Sequence, residues 1–319
     1  MKHLTRRDFM RIAGAAGAGF VALGPAGCKS GFSRTVAAKT NEYKLRNPRI
    51  SINGVLAAMG DDPATITRAA IHSIGGMETF VKKGQTVVIK PNIAFVGKPE
   101  NAVCTNPQVV AELVRLCRGA GASKVVVFDR PCNDARRTYK QSGIEAAASK
   151  AGAVVKYVKD DDFVDMAIPK GKVLTSWRLS KDVLKADVFI SVPIAKHHGS
   201  TGLTLGMKNL MGCAGDERGA WHVGNLDQRI ADVNTAVRPD LVVLDAYRIL
   251  MDHGPTGGSL DDVKLARTVA VATDIVAVDA YATTLFGKKP SDVKYISYAS
   301  KMGLGNMDLN DLRITEINA

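Results

Sequence analysis

The chain has 319 residues, of which 46% are apolar, 23% are charged and 6% are aromatic, with 30 glycines and 12 prolines. These proportions are those of an ordinary globular protein, and they exclude an intrinsically disordered chain, a collagen-like repeat and a coiled coil. The formal net charge is +12, but the lysines and arginines are scattered. Because no nucleic-acid-binding motif accompanies them, we do not expect nucleic acid to be a partner.

The beginning of the chain has the pattern of an export signal. Paired arginines, Arg6 and Arg7, precede Phe9 and an apolar, glycine-containing run at 12–24 that is too short to span a bilayer well. This arrangement resembles the twin-arginine signal. It predicts that residues 1–27 are a signal peptide read by the twin-arginine translocase, and that the protein is extracytoplasmic, either periplasmic or anchored to a membrane.

The residues after the apolar run indicate where the signal peptide ends. Small residues, Ala26 and Gly27, precede Cys28, a pattern that suggests lipid attachment to Cys28 and a membrane tether. Pro25 stands where the usual lipoprotein signal has Leu, which favours instead ordinary cleavage without a lipid, somewhere before Lys44. Residues 28–48 are polar and lack periodicity, which predicts a flexible tether. Because the twin-arginine route exports folded proteins, a metal or organic cofactor loaded before export is compatible with it.

Strand-like and helix-like patterns alternate from about residue 49 onwards. The apolar run 86–90 predicts a buried strand, and Asn106 and Pro107 then begin an amphipathic helix with apolar residues at helical spacing. The run 124–129 predicts the next strand. Further predictions are a helix at 141–151 and strands at 153–158, 187–192, 241–245 and 268–272.

Helices between near-continuous Val and Ile runs indicate βαβ units and a mostly parallel sheet. We therefore predict a single α/β domain at 49–319, with helices on both faces of the sheet in a Rossmann-like three-layer architecture. The runs 154–158 and 173–179 have an alternative interpretation, because together they could form a local antiparallel excursion.

Polar residues follow the predicted strands at their carboxyl ends, where sheets of this kind bind ligands. Lysines at these positions favour an anionic ligand, a phosphate or a carboxylate, and asparagines could orient it through hydrogen bonds. Glycine-rich turns would let backbone amides approach the anion closely. The predicted substrate-binding residues are Lys90, Asn92, Lys196, Asn209, Gly254 and Gly257.

Four of the six histidines lie within residues 197–253, and histidine suits both acid/base chemistry near neutral pH and metal ligation. In the predicted site a histidine would move protons, a lysine would anchor the substrate, and an aspartate would orient a histidine or hold a metal. The predicted catalytic residues are His198, His222, Lys208 and Asp245. The candidate metal ligands, whose spacing matches no common zinc pattern, are His198, His222, His253 and Asp129.

The cysteines other than Cys28 form no C-x-x-C pair. Cys117 lies on the apolar face of a predicted helix and is assigned to the core. Cys104 and Cys132 follow neighbouring strands, so a disulfide between them is conceivable in an oxidising compartment. Together with Cys213 they could instead hold an iron–sulfur cluster, but three scattered thiols make this the less favoured alternative.

Several segments share their pattern with one known family, and the stretch 193–212 is the most specific of them. They are Val88 to Asn92, Thr105 to Pro107, Val192 to Gly199, Leu205 to Gly212, Asp240 to Asp245, Gly254 to Gly257 and Asp274 to Ala280. Over roughly 50–290 the chain resembles the bacterial and archaeal family called domain of unknown function 362 (DUF362). That resemblance implies a domain with a site but no particular reaction. Many members also carry a ferredoxin-like segment with clustered C-x-x-C motifs, which this sequence lacks, so no built-in iron–sulfur role is implied.

A second resemblance concerns one loop. The segment Gly202 to Lys208 is similar to the G-x-S-G-G-x-K loop of lactate racemase-like proteins, whose lysine carries a nickel-pincer cofactor, although Leu205 interrupts the glycine pair here. In those proteins histidines act as acid and base. The resemblance implies such roles for His198 and His222.

Two functions are consistent with these patterns. The first is an exported enzyme that acts on a small phosphate or carboxylate, with or without a metal or cofactor. The second is a non-catalytic extracytoplasmic protein that binds a ligand or metal or assists a redox partner. The convergence of polar residues at the strand ends favours the enzyme, whereas a tether fits both.

Overall fold

The computed structural model describes residues 42–319. The predicted signal peptide (1–27), Cys28 and the predicted tether up to residue 41 lie outside the described residues. No helix within 42–319 is both long and apolar enough to cross a membrane.

Within the described residues, ten strands form one sheet and two others form a separate antiparallel pair. The strands are β1 (Val55–Met59), β2 (Thr86–Pro91), β3 (Lys124–Val127), β4 (Val154–Val155), β5 (Phe163–Ala167), β6 (Ser176–Ser180), β7 (Val188–Val192), β8 (Ile194–His198), β9 (Gly202–Thr204), β10 (Leu241–Leu250), β11 (Val263–Ala272) and β12 (Ile314–Asn318). The strand order is β12-β1-β11-β10-β7-β2-β3-β4, and β8 pairs with β10 and with β9.

Nine α-helices lie in the same part of the chain. They are α1 (Pro63–Ser73), α2 (Pro107–Gly119), α3 (Ala135–Gln141), α4 (Ile144–Lys150), α5 (Lys181–Lys185), α6 (Gly206–Asn209), α7 (Leu226–Asn234), α8 (Ile275–Thr284) and α9 (Lys294–Lys301). The predicted start of α2 is confirmed: Pro107 is its first residue and the Asn106 side chain accepts a hydrogen bond from the Gln108 N–H.

The sheet is mostly parallel, as the sequence predicts. Strands β4, β3, β2, β7 and β10 are parallel neighbours. Strand β11 runs antiparallel between β10 and β1, and β9 runs antiparallel to β8. Because parallel strands end at the same edge, the residues that follow β2, β3 and β8 are brought together there.

Helices cover both faces of the sheet. Val88 of β2 belongs to a buried apolar cluster that includes residues of α7, α8 and α9. Its neighbours Val87 and Ile89 belong to a second cluster, with residues of α1, α2 and α4. Successive side chains of a strand point to opposite faces, so the continuous apolar run fills both layers. The predicted three-layer architecture is confirmed.

The predicted antiparallel excursion exists, but its partners differ from those expected. Strand β6 pairs with β5 at Phe163–Ala167, whereas Val154 and Val155 pair in parallel with β3. Helices α3 and α4 separate β3 from β4, so this run completes a βαβ unit instead of forming a hairpin.

The last part of the predicted tether, 28–48, packs against the domain. Arg46 is only 6% exposed, and its guanidinium donates to the carbonyls of Val183 (3.2 Å) and Ala186 (2.5 Å). The same guanidinium forms a buried ion pair with Asp240. Arg46 is therefore a structural residue of the domain.

Candidate active site

A cavity of about 390 Å³ opens at the carboxyl edge of the sheet. Its wall is formed by the ends of β2, β8 and β9, the residues after β3, helix α6 and the 3₁₀ turn Arg218–His222. The predicted site residues that line it are Lys90, Asn92, Asp129, Lys196, His198, Lys208, Asn209 and His222. The structure thus brings together eight residues that the sequence distributes over 133 positions (222 − 90 + 1).

Lys90 is held at the base of this cavity by three acceptors. Its Nζ lies 2.8 Å from Asp129 Oδ1 and donates to Asn209 Oδ1 (2.8 Å) and to the Pro91 carbonyl (2.7 Å). In return, Asn209 Nδ2 donates to the Lys90 carbonyl (3.2 Å) and to Ser191 Oγ (3.1 Å). An ammonium has three N–H groups, so that of Lys90 is fully occupied by the protein.

Gly212 makes room for this ion pair. A Cβ atom at Gly212 would lie 1.9 Å from Asp129 Oδ1 and 2.4 Å from Lys90 Cε, so any side chain here would separate the two. Gly212 belongs to the family-like segment Leu205 to Gly212, but the sequence pattern assigns it no role. The approach of Asp129 and Lys90 to Gly212 depends on residues far apart in the chain, so the glycine itself is the only sign of it in the sequence.

Lys196 is also fully partnered. Its Nζ donates to Asn92 Oδ1 (3.3 Å), to the Val103 carbonyl (2.5 Å) and to the Pro255 carbonyl (3.2 Å). Burial lowers the pKa of Lys196 to about 8, against attraction from nearby acidic groups. Lys196 thus joins three parts of the cavity wall.

Lys208 differs from the other two lysines. It is 8% exposed, and the only hydrogen-bond acceptor that its Nζ reaches among the described residues is Met211 Sδ, at 3.6 Å. Burial lowers the pKa of Lys208 to about 8, and the positive charge of Lys196 adds to this. The cavity therefore contains a buried ammonium without an oxygen acceptor from the described chain.

Two further donors in the wall lack partners within the described residues. They are Thr204 Oγ1, a hydroxyl on β9, and Nε of Arg218. The remaining guanidinium nitrogens of Arg218 donate to the carbonyls of Met211 (2.9 Å) and Arg130 (2.7 Å), which holds the 3₁₀ turn over the cavity. A buried polar group without a partner costs about 1–3 kcal/mol, so such groups at a cavity indicate a ligand site.

The two histidines lie side by side, with ring centroids 6.3 Å apart and planes inclined by 23°. His198 Nδ1 accepts a hydrogen bond from the Ser200 N–H at 3.1 Å. Burial lowers the pKa of His198 to about 3, helped by the charge of Lys208. The ring is therefore neutral at neutral pH, with its proton on Nε2, which makes it a hydrogen-bond donor.

His222 is more exposed than His198 and less constrained. Its Nδ1 lies 3.3 Å from the Gly219 carbonyl, and burial and the charge of Lys208 lower the pKa of His222. A neutral imidazole with access to solvent can accept a proton from a bound ligand.

Helix α6, which carries Lys208 and Asn209, is anchored by Asp279. The two carboxylate oxygens of Asp279 accept the backbone N–H groups of Gly206 (2.6 Å) and Met207 (2.9 Å). Burial raises the pKa of Asp279 to about 8, against these hydrogen bonds. The sequence pattern assigns no role to Asp279, which lies 71 positions after Lys208 (279 − 208).

Asp245, predicted to be catalytic, does not line the cavity. Its carboxylate accepts the backbone N–H groups of Asn106 (2.7 Å) and Tyr247 (3.1 Å). Burial raises the pKa of Asp245 to about 6. In this position it fixes the residue that caps α2.

His253 also lies away from the cavity wall. Its side chain is 67% exposed and its Nδ1 lies 2.9 Å from Asp262 Oδ1. Asp129 has its oxygens occupied by Lys90 Nζ and by the N–H groups of Ile93 (2.7 Å) and Arg130 (2.8 Å). Within 42–319 no three His, Cys, Asp or Glu side chains lie close enough to hold a metal ion, so the candidate metal ligands are not assembled.

Gly254 and Gly257 shape the loop that supports Lys196. The Gly254 N–H donates to His197 Nδ1 (3.1 Å), and a Cβ at Gly254 would lie 1.9 Å from the His197 carbonyl oxygen. Gly257 has a φ of +73°, which favours glycine. Between them, Pro255 presents the carbonyl that accepts from Lys196. The backbone of this loop is expected from the sequence to approach a ligand, but in the structure it packs against His197 and Lys196.

All four cysteines in the described part of the chain are free thiols. Cys117 is buried in the core, as predicted, and Cys104 and Cys213 are also buried. Cys132 is exposed and lines the cavity. The disulfide considered for Cys104 and Cys132 is not formed, and Cys104 Sγ instead donates to the Phe95 carbonyl.

Comparison with known proteins places the chain in a family. A thylakoid-associated protein from Synechocystis sp. is 28% identical over 254 residues, which cover 74% of this chain and 74% of that protein. The lactate racemase apoprotein from Thermoanaerobacterium thermosaccharolyticum has a TM-score of 0.46 at 12% identity over 76% of this chain and 61% of that one. A Thermotoga maritima protein has a TM-score of 0.43 at 12% identity over 76% of this chain and 60% of that one.

The chain therefore spans less than two thirds of each of these two solved structures. The family described as "Domain of unknown function (DUF362)" matches residues 87–284, which is more than half of the chain. The protein belongs to the DUF362 family.

Proposed function

We propose that this protein is an enzyme that acts on a small anionic substrate, a phosphate or a carboxylate, bound in the cavity at the carboxyl edge of the sheet. The observation that carries the proposal is Lys208, a buried ammonium to which the described chain offers no oxygen acceptor. A buried charge without a partner is costly unless a ligand of opposite sign completes the site.

The charges around Lys208 support this proposal. Lys90, Lys196 and Arg218 line the same cavity, and of these cations Lys90 is the one that pairs with Asp129. The lining also includes Arg130, Glu217 and Asp216, and Asp216 pairs with Arg178. An excess of positive charge with low-dielectric walls raises the local concentration of small anions.

The donors around Lys208 suggest how the ligand is held. Lys208 Nζ, Thr204 Oγ1 and the Nε2–H of neutral His198 all belong to residues of the cavity wall, and the described residues give no acceptor for the first two other than sulfur. We propose that these three donors bind the anionic group. Lys90 and Lys196, predicted as substrate anchors, would instead shape the wall and its electrostatic potential.

Acid/base chemistry is proposed for His222. It lines the cavity beside His198, is accessible to solvent and has a lowered pKa. In the neutral form it can take a proton from a carbon or hydroxyl next to the bound anion. His198, whose Nδ1 already accepts from Ser200, would act as a donor to the developing negative charge.

The test is to replace Lys208 with an apolar residue of similar length. Lys208→Met should abolish the rise in melting temperature that sulfate, phosphate or small carboxylates give the wild-type protein. Without ligand, the variant should be more stable than wild type by about 1–3 kcal/mol at pH 7, because a buried unpaired ammonium is removed.

The matched control is Lys264→Met, which removes an exposed lysine of β11 and the same net charge. It should keep the anion-dependent rise in melting temperature. If Lys208→Met kept that rise as well, the anion would not be bound at Lys208 and the proposal would be wrong.

We also propose that the protein is exported through the twin-arginine translocase and acts outside the cytoplasm. The support is the sequence of residues 1–27, with Arg6 and Arg7 before Phe9. Replacing both arginines by lysine should leave the full-length protein in the cytoplasm, as cell fractionation would reveal, whereas Lys2→Arg should not. Export of the double variant would contradict the proposal. Mass spectrometry of the exported chain would show whether Cys28 carries a lipid.

A further inference from the structure

One exposed thiol lies in the wall of the cationic cavity. Cys132 follows β3 by five positions (132 − 127), and its backbone N–H donates to the Ala94 carbonyl at 2.8 Å, which fixes the loop against the end of β2. The other three cysteines of the described chain are buried. Cys132 is thus the cysteine that a ligand in the cavity would meet.

Positive charges surround this thiol. Lys196, Lys208 and Arg218 each interact electrostatically with Cys132, and a thiolate there raises the pKa of each of them. The carboxylate of Asp129 is engaged with Lys90 and with two backbone N–H groups. The surroundings of the sulfur therefore favour a negatively charged molecule beside it.

The same cavity has buried donors without partners, which point to a ligand next to the thiol. Thr204 is 4% exposed and its Oγ1 has no partner in the described chain. Lys208 is 8% exposed, and among the described residues its Nζ has a sulfur atom as its only hydrogen-bond acceptor. An anionic group held by these two side chains would bring the rest of its molecule into the cavity that Cys132 lines.

We propose that Cys132 is a nucleophile that forms a covalent bond with small anionic electrophiles held in this cavity. The inference rests on the proposed anion site and names its substrate class more closely: a carboxylate or phosphate that carries an electrophilic carbon. The thiol proton passes to water, and the thiolate electron pair forms a sulfur–carbon bond. The leaving group departs with the electron pair of its own bond to that carbon, so no oxidant or reductant is required.

The experiment uses two alkylating probes that share iodide as the leaving group and differ in charge, iodoacetate and iodoacetamide. The rate of modification of each cysteine is measured by peptide mass spectrometry in the folded full-length protein and in the denatured chain. Folding should raise the ratio of the iodoacetate rate to the iodoacetamide rate at Cys132 by roughly tenfold or more. Sulfate should slow the alkylation of Cys132 in the folded protein. Cys104, Cys117 and Cys213 should react only in the denatured chain.

Variants of Lys208 test whether the cavity causes this selectivity. Lys208→Met and Lys208→Gln should bring the ratio at Cys132 close to that of the denatured chain, whereas Lys264→Met should leave it high. Two variants are used in case one of them fails to fold, and circular dichroism shows whether each is folded.

The outcomes separate the two proposals. If sulfate raises the melting temperature of the wild-type protein but folding does not change the ratio at Cys132, or if both Lys208 variants keep a high ratio, the nucleophile assignment is overturned and the anion site stands. If sulfate, phosphate and carboxylates all fail to stabilise the wild-type protein, the anion site itself is overturned.

Discussion

The three lysines of the cavity have similar positions in the sequence but different hydrogen-bond partners in the structure. Lys90, Lys196 and Lys208 each come near a strand end, where the sequence pattern predicts anchors for an anion. In the structure, Lys90 and Lys196 each have three acceptors within the protein. Lys208 has only a sulfur atom among the described residues, and it is therefore the lysine available to a ligand.

The lowered pKa of Lys208 predicts that anion binding depends on pH. A bound anion favours the charged ammonium, so the pKa of Lys208, about 8 without ligand, rises on binding. Sulfate, which stays a dianion, should bind more weakly as the pH rises through 8, and binding at pH 8–9 should take up protons. Calorimetry in two buffers of different ionisation enthalpy measures that uptake. At pH 6, where Lys208 is already charged, the wild-type protein should take up few protons per sulfate bound. An uptake as large as that at pH 8–9 would assign the proton to another group.

Gly212 allows a second prediction about a single residue. Gly212→Ala should force Asp129 and Lys90 apart, because the new Cβ would lie 1.9 Å from Asp129 Oδ1. We expect a loss of stability of about 1–3 kcal/mol and weaker anion binding, measured by denaturant unfolding and by thermal shift. Gly219→Ala is the matched control in the same region, since nothing lies within 4 Å of its Cβ position. Equal effects of the two substitutions would contradict this role of Gly212.

At the scale of elements, the short helix α6 depends on a distant carboxylate. This helix has only four residues, Gly206–Asn209, too few to be stable alone. The Asp279 carboxylate of α8 accepts two of its N-terminal N–H groups, and thereby fixes the part of the chain that presents Lys208. Helix α8 thus helps to position the anion site through α6.

This dependence predicts that Asp279→Ala weakens anion binding as well as the fold. Losing a cap of this kind costs about 0.5–2 kcal/mol, and α6 would no longer hold Lys208 in place. Asp62→Ala is the control, because Asp62 caps α1 by accepting the Thr65 N–H but does not line the cavity. Thermal shift with and without sulfate should separate the two variants. Unchanged sulfate binding in Asp279→Ala would show that α6 is held by other contacts.

At the scale of the whole molecule, Arg46, which lies within the predicted tether, packs into the domain. Arg46 reaches across the chain to Asp240, 194 positions away, and to the carbonyls around α5. The sequence near Arg46 is polar and irregular, so nothing local predicts its burial. Its charge is accommodated only because the fold brings Asp240 and two carbonyl oxygens to the same place.

Arg46→Ala should therefore destabilise the whole domain. It leaves Asp240 as a buried carboxylate without its cation, at a cost of about 3–5 kcal/mol. Lys98→Ala, which removes a 73% exposed lysine 3.9 Å from Glu100, should cost less than about 1 kcal/mol. Urea unfolding measures both changes. A small effect for Arg46→Ala would mean that water reaches Asp240 in the variant.

The sequence by itself determined the architecture and the edge of the sheet at which polar residues gather. Near-continuous Val and Ile runs such as 86–90 can only be buried on both faces, so they dictate a parallel sheet between two helical layers. The direction of the parallel strands then places Lys90, Asp129 and Lys196 at one edge. Five predicted site residues meet there because this rule depends on strand direction alone: Lys90, Asn92, Asp129, Lys196 and His198. The other three, Lys208, Asn209 and His222, are brought to the cavity by α6 and the 3₁₀ turn Arg218–His222.

Only the tertiary structure decided what each of these residues does. Asp245 lies within β10 and holds the start of α2. Gly212 and Asp279 support the cavity, a role that the family-like segments containing them do not reveal. Whether a polar residue faces the ligand or supports the fold depends on whether the rest of the protein supplies its hydrogen-bond partners. Those partners come from positions far apart in the chain, and hydrogen bonding and burial at such distances leave no periodic or compositional trace in a single sequence.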